Sequence, residues 1–253
     1  MLVATWNVNG LRAALRKGFS GHLDRLGVDV LLLQEVRATP DQLGPSPVPE
    51  GWHACWNPSS KPGYAGVAAW SRWPIALLPY DGDADPDGRV LWMSVAGWRI
   101  ASIYLPSGSA GPERQAAKEQ WMGAFRGWMD RIVASDTPTV IGGDLNIAHT
   151  PLDIHNPQRS GDLSGFLPHE RAWFGAMLDV GWTDAVRRCV GPRVGPWSWW
   201  SNRGRARAED RGWRIDYLLS NPAAATRLLD ARIDREAGIQ CSDHAPVLAR
   251  FER

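Results

Sequence analysis

In the segment PTVIGGDLNIAHT, residues 138–150, an apolar run ends on two glycines, and Asp144 and Asn146 follow two residues apart. On an extended backbone, residues i and i+2 point to the same side. A carboxylate and an amide then face one spot at a strand end, where α/β proteins build their sites. Other apolar runs stop in the same way. TWNVNG carries Asn7 and Asn9, LLLQEVR carries Glu35, and SIYLPSG ends a run on Tyr104. RIDYLLS sets Asp216 between Ile215 and Tyr217, and CSDHAPV places Asp243 and His244 before the last run. Each has an ordinary role open to it: Asn7 as a helix cap, Glu35 as a solvated acid, Tyr104 as a core ring, His244 as a structural histidine, Asp144 and Asn146 as turn residues. Asp216 weighs more, because a carboxylate in so apolar a run is costly to bury unless paired. If the strand ends converge, the chemistry is that of hard oxygen donors, which suit Mg²⁺ or Mn²⁺ rather than structural zinc. Metal, carboxylate, amide and histidine together fit water attack on a phosphate ester. No GxxxxGK[ST] phosphate loop is present, which excludes nucleotide hydrolysis by that route.

The elements that must position these residues follow from periodicity. Strand patterns cover residues 2–6, 30–33, 52–56, 66–70, 90–95, 99–104, 139–141, 214–219 and 245–251. Ala96-Gly97 between two alternating runs predicts a hairpin. Helical periodicity covers residues 113–133 and 168–178, the second opened by Pro168 with Glu170 close behind; shorter helices are predicted over 11–17 and 20–26. Pro/Gly-rich stretches at 45–51, 59–66, 81–88, 106–112, 157–165 and 191–212 read as loops. Strands outnumber helices and many are joined by short turns, which predicts two sheets packed face to face with helices outside. No repeat or long linker divides the chain, so one catalytic domain over residues 1–253 is expected.

Composition narrows the setting. The chain has 253 residues, 44% hydrophobic, with 28 Lys+Arg against 27 Asp+Glu, so bulk charge points to no partner. Three cysteines, odd in number and widely spaced, form neither a disulfide framework nor a zinc pattern. A reducing, cytoplasmic location is expected. MLVATWNVNG does not read as a signal peptide, and no stretch reaches the roughly 18 apolar residues of a membrane helix. Fifteen tryptophans are many; most are expected in the core and some as surface stacking faces.

WNVNGLRA, LQEVR, GDLNIAHTPLDIHNP, GFLPHERAWF, RIDYLL and SDHAPV, in this order from Leu2 to Phe251, resemble the exonuclease III / AP endonuclease family of the endonuclease–exonuclease–phosphatase superfamily. GDLN and SDH alone fit the whole superfamily, including its lipid and inositol phosphatases; WNVNGLRA and the DIHNP…GFLPHERAWF stretch are specific to the DNA-repair branch. The resemblance implies a four-layer α/β sandwich, two packed mixed β-sheets flanked by helices. It implies that Glu35 binds the metal with Asn7 beside it and Asp243 close by. It assigns Asp144 to position or deprotonate the attacking water, Asn146 to help hold water and phosphate, Tyr104 to contact the phosphate, and His244 to sit at the scissile phosphate. Because Asp243 points away from its neighbour on an extended chain, Asp216 is the better candidate to orient His244 and favour its charged form. The chain departs from the family at Ser107, where asparagine or glutamine is common, and at Arg37, where lysine is usual. Arginine keeps the charge but offers a planar fork.

From Arg187 to Arg214 eight arginines stand against Glu209 and Asp210, a local charge of +6. Such a run is either a solvated loop or one that tracks DNA phosphates, with Arg203, Arg205 and Arg207 as the contacts. PWSWW lies within it. The resemblance puts Trp199 or Trp200, together with Trp213 and Ile215, around the pocket for a flipped-out abasic sugar, and matches Asn156 to a phosphate-contacting asparagine. The expected activity is a Mg²⁺-dependent DNA phosphodiesterase of base-excision repair, cutting 5′ to abasic sites and removing 3′ nucleotides or blocking groups. The expected partner is abasic or 3′-blocked duplex DNA, with no membrane, and the expected state is a monomer. The rivals are a 3′–5′ exonuclease with weak abasic-site cutting, a superfamily phosphatase, and an inactive DNA-binding module.

Overall fold

The computed structural model describes residues 1–82, 85–236 and 240–253; residues 83 and 84, inside the expected loop 81–88, lie outside them. In chain order the elements are β1 (Leu2–Asn7), α1 (Leu11–Arg16), α2 (Phe19–Leu26), β2 (Val30–Gln34), β3 (His53–Asn57), β4 (Val67–Ser71), β5 (Ile75–Leu77), β6 (Val90–Val95), β7 (Trp98–Tyr104), α3 (Pro112–Ile132), β8 (Thr139–Asp144), α4 (Pro168–Asp179), β9 (Thr183–Asp184), α5 (Ala185–Val190), β10 (Trp199–Trp200), β11 (Gly212–Trp213), β12 (Asp216–Ser220), α6 (Pro222–Ala225), β13 (Leu228–Ile233) and β14 (Val247–Phe251). Two six-stranded sheets form, in the orders β13-β14-β1-β2-β4-β3 and β5-β6-β7-β8-β12-β9, with β10-β11 as a separate ribbon. Both sheets are mixed: β1 runs parallel to β2, and β7 to β8, among antiparallel neighbours.

Strand alternation sorts the apolar residues into three cores, and these make the layers. Val3, Val30, Leu32, Val140 and Leu218 pack between the sheets. Their neighbours Leu2, Ala4, Leu31 and Leu33 face α1 and α2 with Leu11, Phe19 and Leu23. Ile141, Tyr217 and Leu219 face α3 and α4 with Phe125, Met129 and Phe174. Central strands buried on both faces read as continuous apolar runs, which is why VLLL and TVI carry no polar alternation. At the predicted hairpin, Ala96 and Gly97 have φ of 50° and 81°, the two left-handed residues of a tight two-residue turn.

Two boundaries differ in ways that matter. The strand expected to stop at Ile141 continues through Gly142 and Gly143 to Asp144. A Cβ on Gly142 would lie 2.5 Å from Leu32 Cδ1, and one on Gly143 1.9 Å from the Ile103 carbonyl oxygen. Gly142 therefore lets the two sheets close at this end, and Gly143 lets β8 lie against β7. Residues 191–212, expected as an open loop, carry β10, whose partner β11 begins at Gly212. The edge strand β13, with Leu229 exposed, and α5 and α6 had no expectation. Among the described residues no helix is long and apolar enough to cross a membrane, and Cys55, Cys189 and Cys241 are unpaired.

Candidate active site

Register brings the polar residues together. Tyr104 pairs with Asp144 across β7 and β8, and Asp144 pairs with Asp216 across β8 and β12. In the facing sheet, Asn7 pairs with Gln34, one residue before Glu35. Asn7 Nδ2 joins the sheets: it donates to Glu35 Oε1 at 2.8 Å and to Asp144 Oδ2 at 2.9 Å. Its oxygen accepts the Asn9 N–H at 2.9 Å, so Asn7 brackets the two carboxylates and does not cap α1, whose N-cap is Gly10. Asn9, Glu35, Arg37 and Asn146 all have positive φ, between 45° and 52°. Left-handed non-glycine residues are uncommon and gather at functional sites.

Glu35, Asp144 and His244 offer ligand atoms within 4.8 Å of one another. His244 Nδ1 lies 2.9 Å from Asp216 Oδ2, and its Nε2 3.9 Å from Asp144 Oδ2. Asp216 is held in turn by Ser198, whose Oγ donates to Oδ2 at 2.6 Å and accepts the N–H groups of Ile215 and Asp216. The Asn146 N–H donates to Asp144 Oδ1, and Asn146 Nδ2 to the Leu105 carbonyl, both at 2.9 Å. The Arg37 guanidinium pairs with Glu35 from the rim. The Tyr104 ring lies under the Arg89 guanidinium, 4.9 Å away.

The electrostatics follow from burial and from an excess of anions. Burial, then Asp216 and Glu35, raise Asp144 to about 7 against the pull of His244 and the Asn146 N–H. Burial alone would lower His244, but Asp216, with Asp144 and Asp243, overrides it and raises the imidazole to about 10. Burial, then Glu35 and Asp144, push the Tyr104 hydroxyl well above its usual value, so it stays a proton donor.

A cleft of 240 Å³ is lined by Glu35, Arg37, Tyr104, Ser107, Asp144, Asn146, Trp199, Trp213, Ile215, Asp243 and His244, with Asn9, Ser109 and Ser164. Asn7 and Asp216 stand behind it, fully buried. Trp199 and Trp213 meet edge to face at 6.1 Å. Other expectations need correcting. Trp200 is 1% exposed and turned inward, its Nε1 donating to Asp210 and its ring between the Arg207 and Arg235 guanidinium groups. Alternation along β10 sends one tryptophan to each face, and only Trp199 faces this cleft. Arg207 is not a free phosphate contact: it donates to the Ser242 and Arg235 carbonyls and stacks on Trp200. Arg187 and Arg214 leave the basic run altogether, being paired with Asp153 and Asp184. Arg203, Arg205 and Asn156 are exposed and lie outside the cleft lining. Asp243 lines the same cleft as Glu35, Asp144 and His244, and its oxygens accept from Asn9 and Trp199.

Sequence reasoning missed a support under the site. Lys118 Nζ donates to the Asn146 carbonyl at 2.9 Å and to Glu170 Oε1 at 2.5 Å. Glu170 Oε2 accepts the N–H groups of Gly165 and Leu167. The signal was there: Lys118 shares the helical stripe of Met122, Phe125 and Met129, and Glu170 that of Phe174 and Met177. A charge on an apolar stripe is buried only if paired.

Residues 4–244 match the Endonuclease/Exonuclease/phosphatase family. The chain is 34% identical to an exodeoxyribonuclease of Bacillus subtilis over 98% of both chains. It is 32% identical to the DNA repair nuclease APEX1 of Danio rerio, over 98% of this chain and 81% of that one. In structure it is similar to the 3′-5′ exonuclease NExo of Neisseria meningitidis, with TM-score 0.89 and 32% identity over the whole of both chains. It is also similar to an AP endonuclease of Archaeoglobus fulgidus, with TM-score 0.87 and 26% identity over the whole of both chains. With the strand-end residues gathered on one cleft and these likenesses running the length of the chain, the protein belongs to the endonuclease/exonuclease/phosphatase family, in its exonuclease III / AP endonuclease branch.

Proposed function

We propose that this hydrolase is a Mg²⁺-dependent DNA phosphodiesterase of base-excision repair, which incises 5′ of abasic sites and acts as a 3′–5′ exonuclease and 3′-phosphodiesterase on duplex DNA. The observation that carries the reading is the convergence of Glu35, Asp144 and His244, with Asp216 behind the histidine, on a cleft walled by Trp199, Trp213 and Ile215. The donor set fits a hard divalent cation. Two carboxylates bracketed by Asn7 carry more negative charge than the buried cations offset, and burial together with the Asp216 and Glu35 charges raises Asp144 to about 7. Glu35, with Asn7 beside it and Asp243 close by, would hold Mg²⁺, with Mn²⁺ a substitute. When bound, the ion supplies charge neutralisation at the phosphate.

In this reading Asp144 takes the proton of the attacking water, a task suited to a base poised near neutral pH. Asn146 orients that water. Cationic His244, fixed by Asp216, and the Tyr104 hydroxyl donate to the phosphoryl oxygens as negative charge builds. The bond to the 3′-side leaving oxygen breaks as the water oxygen bonds phosphorus. Ring walls admit a sugar without a base and exclude a stacked nucleotide. Ser107, Arg37, Asn156, Arg203 and Arg205 hold flanking phosphates. The cleft residues come from both sheets of one fold, which supports a single catalytic domain; it is proposed to work as a monomer, and three unpaired cysteines support a cytoplasmic setting.

A second reading, mainly a 3′–5′ exonuclease with weak abasic-site cutting, is favoured by the likeness to the Neisseria exonuclease. One substrate panel tests both: an abasic duplex, an undamaged recessed duplex and an inositol phosphate, each with Mg²⁺ and with EDTA. Mg²⁺-dependent incision of the abasic duplex is expected. Faster digestion of the recessed duplex selects the second reading, and hydrolysis of the inositol phosphate alone removes both.

A further inference from the structure

Asp243 sits beside His244 yet is spent elsewhere. Its Oδ2 accepts the Trp199 indole N–H at 3.1 Å and its Oδ1 accepts Asn9 Nδ2 at 2.8 Å. The backbone sets this pairing up: Trp200 N donates to the Asp243 carbonyl, Ala245 N to the Ser198 carbonyl, and Trp199 bridges His244. Residues 198–200 thus run alongside 243–245 as a short antiparallel ladder, and the ladder puts the carboxylate at the indole edge. The Trp199 ring is half-buried, 6.1 Å from Trp213 and 6.4 Å from His244. A tryptophan at such a boundary buries its ring but needs an acceptor for its N–H.

We infer that Asp243 is a positioning residue for the aromatic wall: it holds the Trp199 indole upright against Trp213, sets the width of the cleft, and so sets the preference for a sugar lacking its base over an intact nucleotide. The inference rests on the abasic-site reading above. The carboxylate acts through the indole, so its effect vanishes when the indole N–H is gone.

A double-mutant cycle on the ratio of abasic-site incision to 3′ digestion of undamaged DNA tests this. Asp243→Ala should lower the ratio about tenfold, the scale of one hydrogen bond to a charged group. Trp199→Phe, which keeps a ring but has no N–H, should lower it to a similar extent. Adding Asp243→Ala to Trp199→Phe should then change the ratio less than about twofold, the signature of two residues acting as one. Asp243→Asn, which keeps an acceptor oxygen, should restore the ratio. An undiminished effect of Asp243→Ala in the Trp199→Phe background overturns the proposal. A readout without substrate separates its failure from that of the functional reading. The indole N–H resonance missing in Trp199→Phe should shift in Asp243→Ala and return in Asp243→Asn. An unmoved resonance overturns the clamp whatever the enzyme cuts.

Discussion

Asp144 and Asp153 are both buried carboxylates, 1% and 0% exposed, yet they stand at opposite ends of the acid scale. Burial pushes both up. At Asp153 Arg214 and Arg187 override it, and the carboxyl falls to about 2. At Asp144 Asp216 and Glu35 add to it, and the carboxyl rises to about 7. The difference is one of stoichiometry. Asp153 and Asp184 face Arg187 and Arg214, two anions against two cations, with Thr150 closing the remaining valences of Asp153. Glu35, Asp144 and Asp216 face one buried imidazole and Arg37 at the rim. The first cluster is balanced in charge, and Arg214 ties the stretch between Trp213 and Ile215 to it. The second is incomplete, and a divalent cation would complete it. Burial is common to both; what separates a structural from a reactive carboxylate here is the count of partner charges.

The comparison breaks most sharply at the reactive cluster. Asp144→Asn or His244→Asn should reduce single-turnover cleavage by roughly 10²–10⁴-fold, the range of general acid–base and electrostatic assistance. The melting temperature of Asp144→Asn without metal should hold or rise, since the change removes an unbalanced anion. A large fall in stability would assign Asp144 a structural role and collapse the distinction. Arg214→Met is the converse. It strands Asp153 and Asp184 in the core, and should cost about 3–5 kcal/mol in urea denaturation. Equal stability of the mutant would show that the cluster is not closed.

The two carboxylates should also tilt stability in opposite directions with pH. Asp153 is depressed in the folded state, so its contribution is present above its ordinary value of 3.8 and is lost as pH falls through about 2. The loss amounts to roughly 2–3 kcal/mol. Asp144 is raised, so its contribution is present below 3.8 and is lost as pH rises through about 7. Metal-free melting temperatures should therefore fall between pH 4 and 7, and Asp144→Asn should flatten that slope while leaving the acid limb intact. A slope unchanged in Asp144→Asn would mean that other groups carry it.

The same contrast explains what was legible in the sequence. The residues of the candidate site sit at strand ends, where a polar residue after an apolar run is conspicuous, so Asn7, Glu35, Tyr104, Asp144, Asp216 and His244 could be listed and their convergence foreseen. Closed clusters are formed by partners distant in sequence, and nothing local marks Arg214 as facing Asp184 rather than solvent; the basic run hid it. Lys118 was legible only to a reader who asks why a lysine interrupts an apolar helical stripe. Trp199 and Trp200 could not be told apart without the register of β10 on β11. The strand β13 was missed because it is an edge whose residues alternate weakly between exposed and buried.

Ser198 is the smallest test and the most discriminating. It is neutral, so it leaves the charge count of the reactive cluster unchanged, yet its hydroxyl touches that cluster three times, donating to Asp216 Oδ2 and accepting the N–H groups of Ile215 and Asp216. If charge balance alone tunes the site, Ser198→Ala should leave turnover untouched. If the Asp216 carboxylate must also be held in one orientation for His244 to present Nε2 to the cleft, the change should cost about 1 kcal/mol in stability and a several-fold fall in kcat. KM for DNA should be unmoved, because the hydroxyl lies behind the histidine and is fully buried. Ser198→Thr, which keeps the hydroxyl, should recover most of the kcat. A rise in KM without a fall in kcat would place Ser198 in DNA binding, and Asp216 would then need no anchor beyond the histidine it orients.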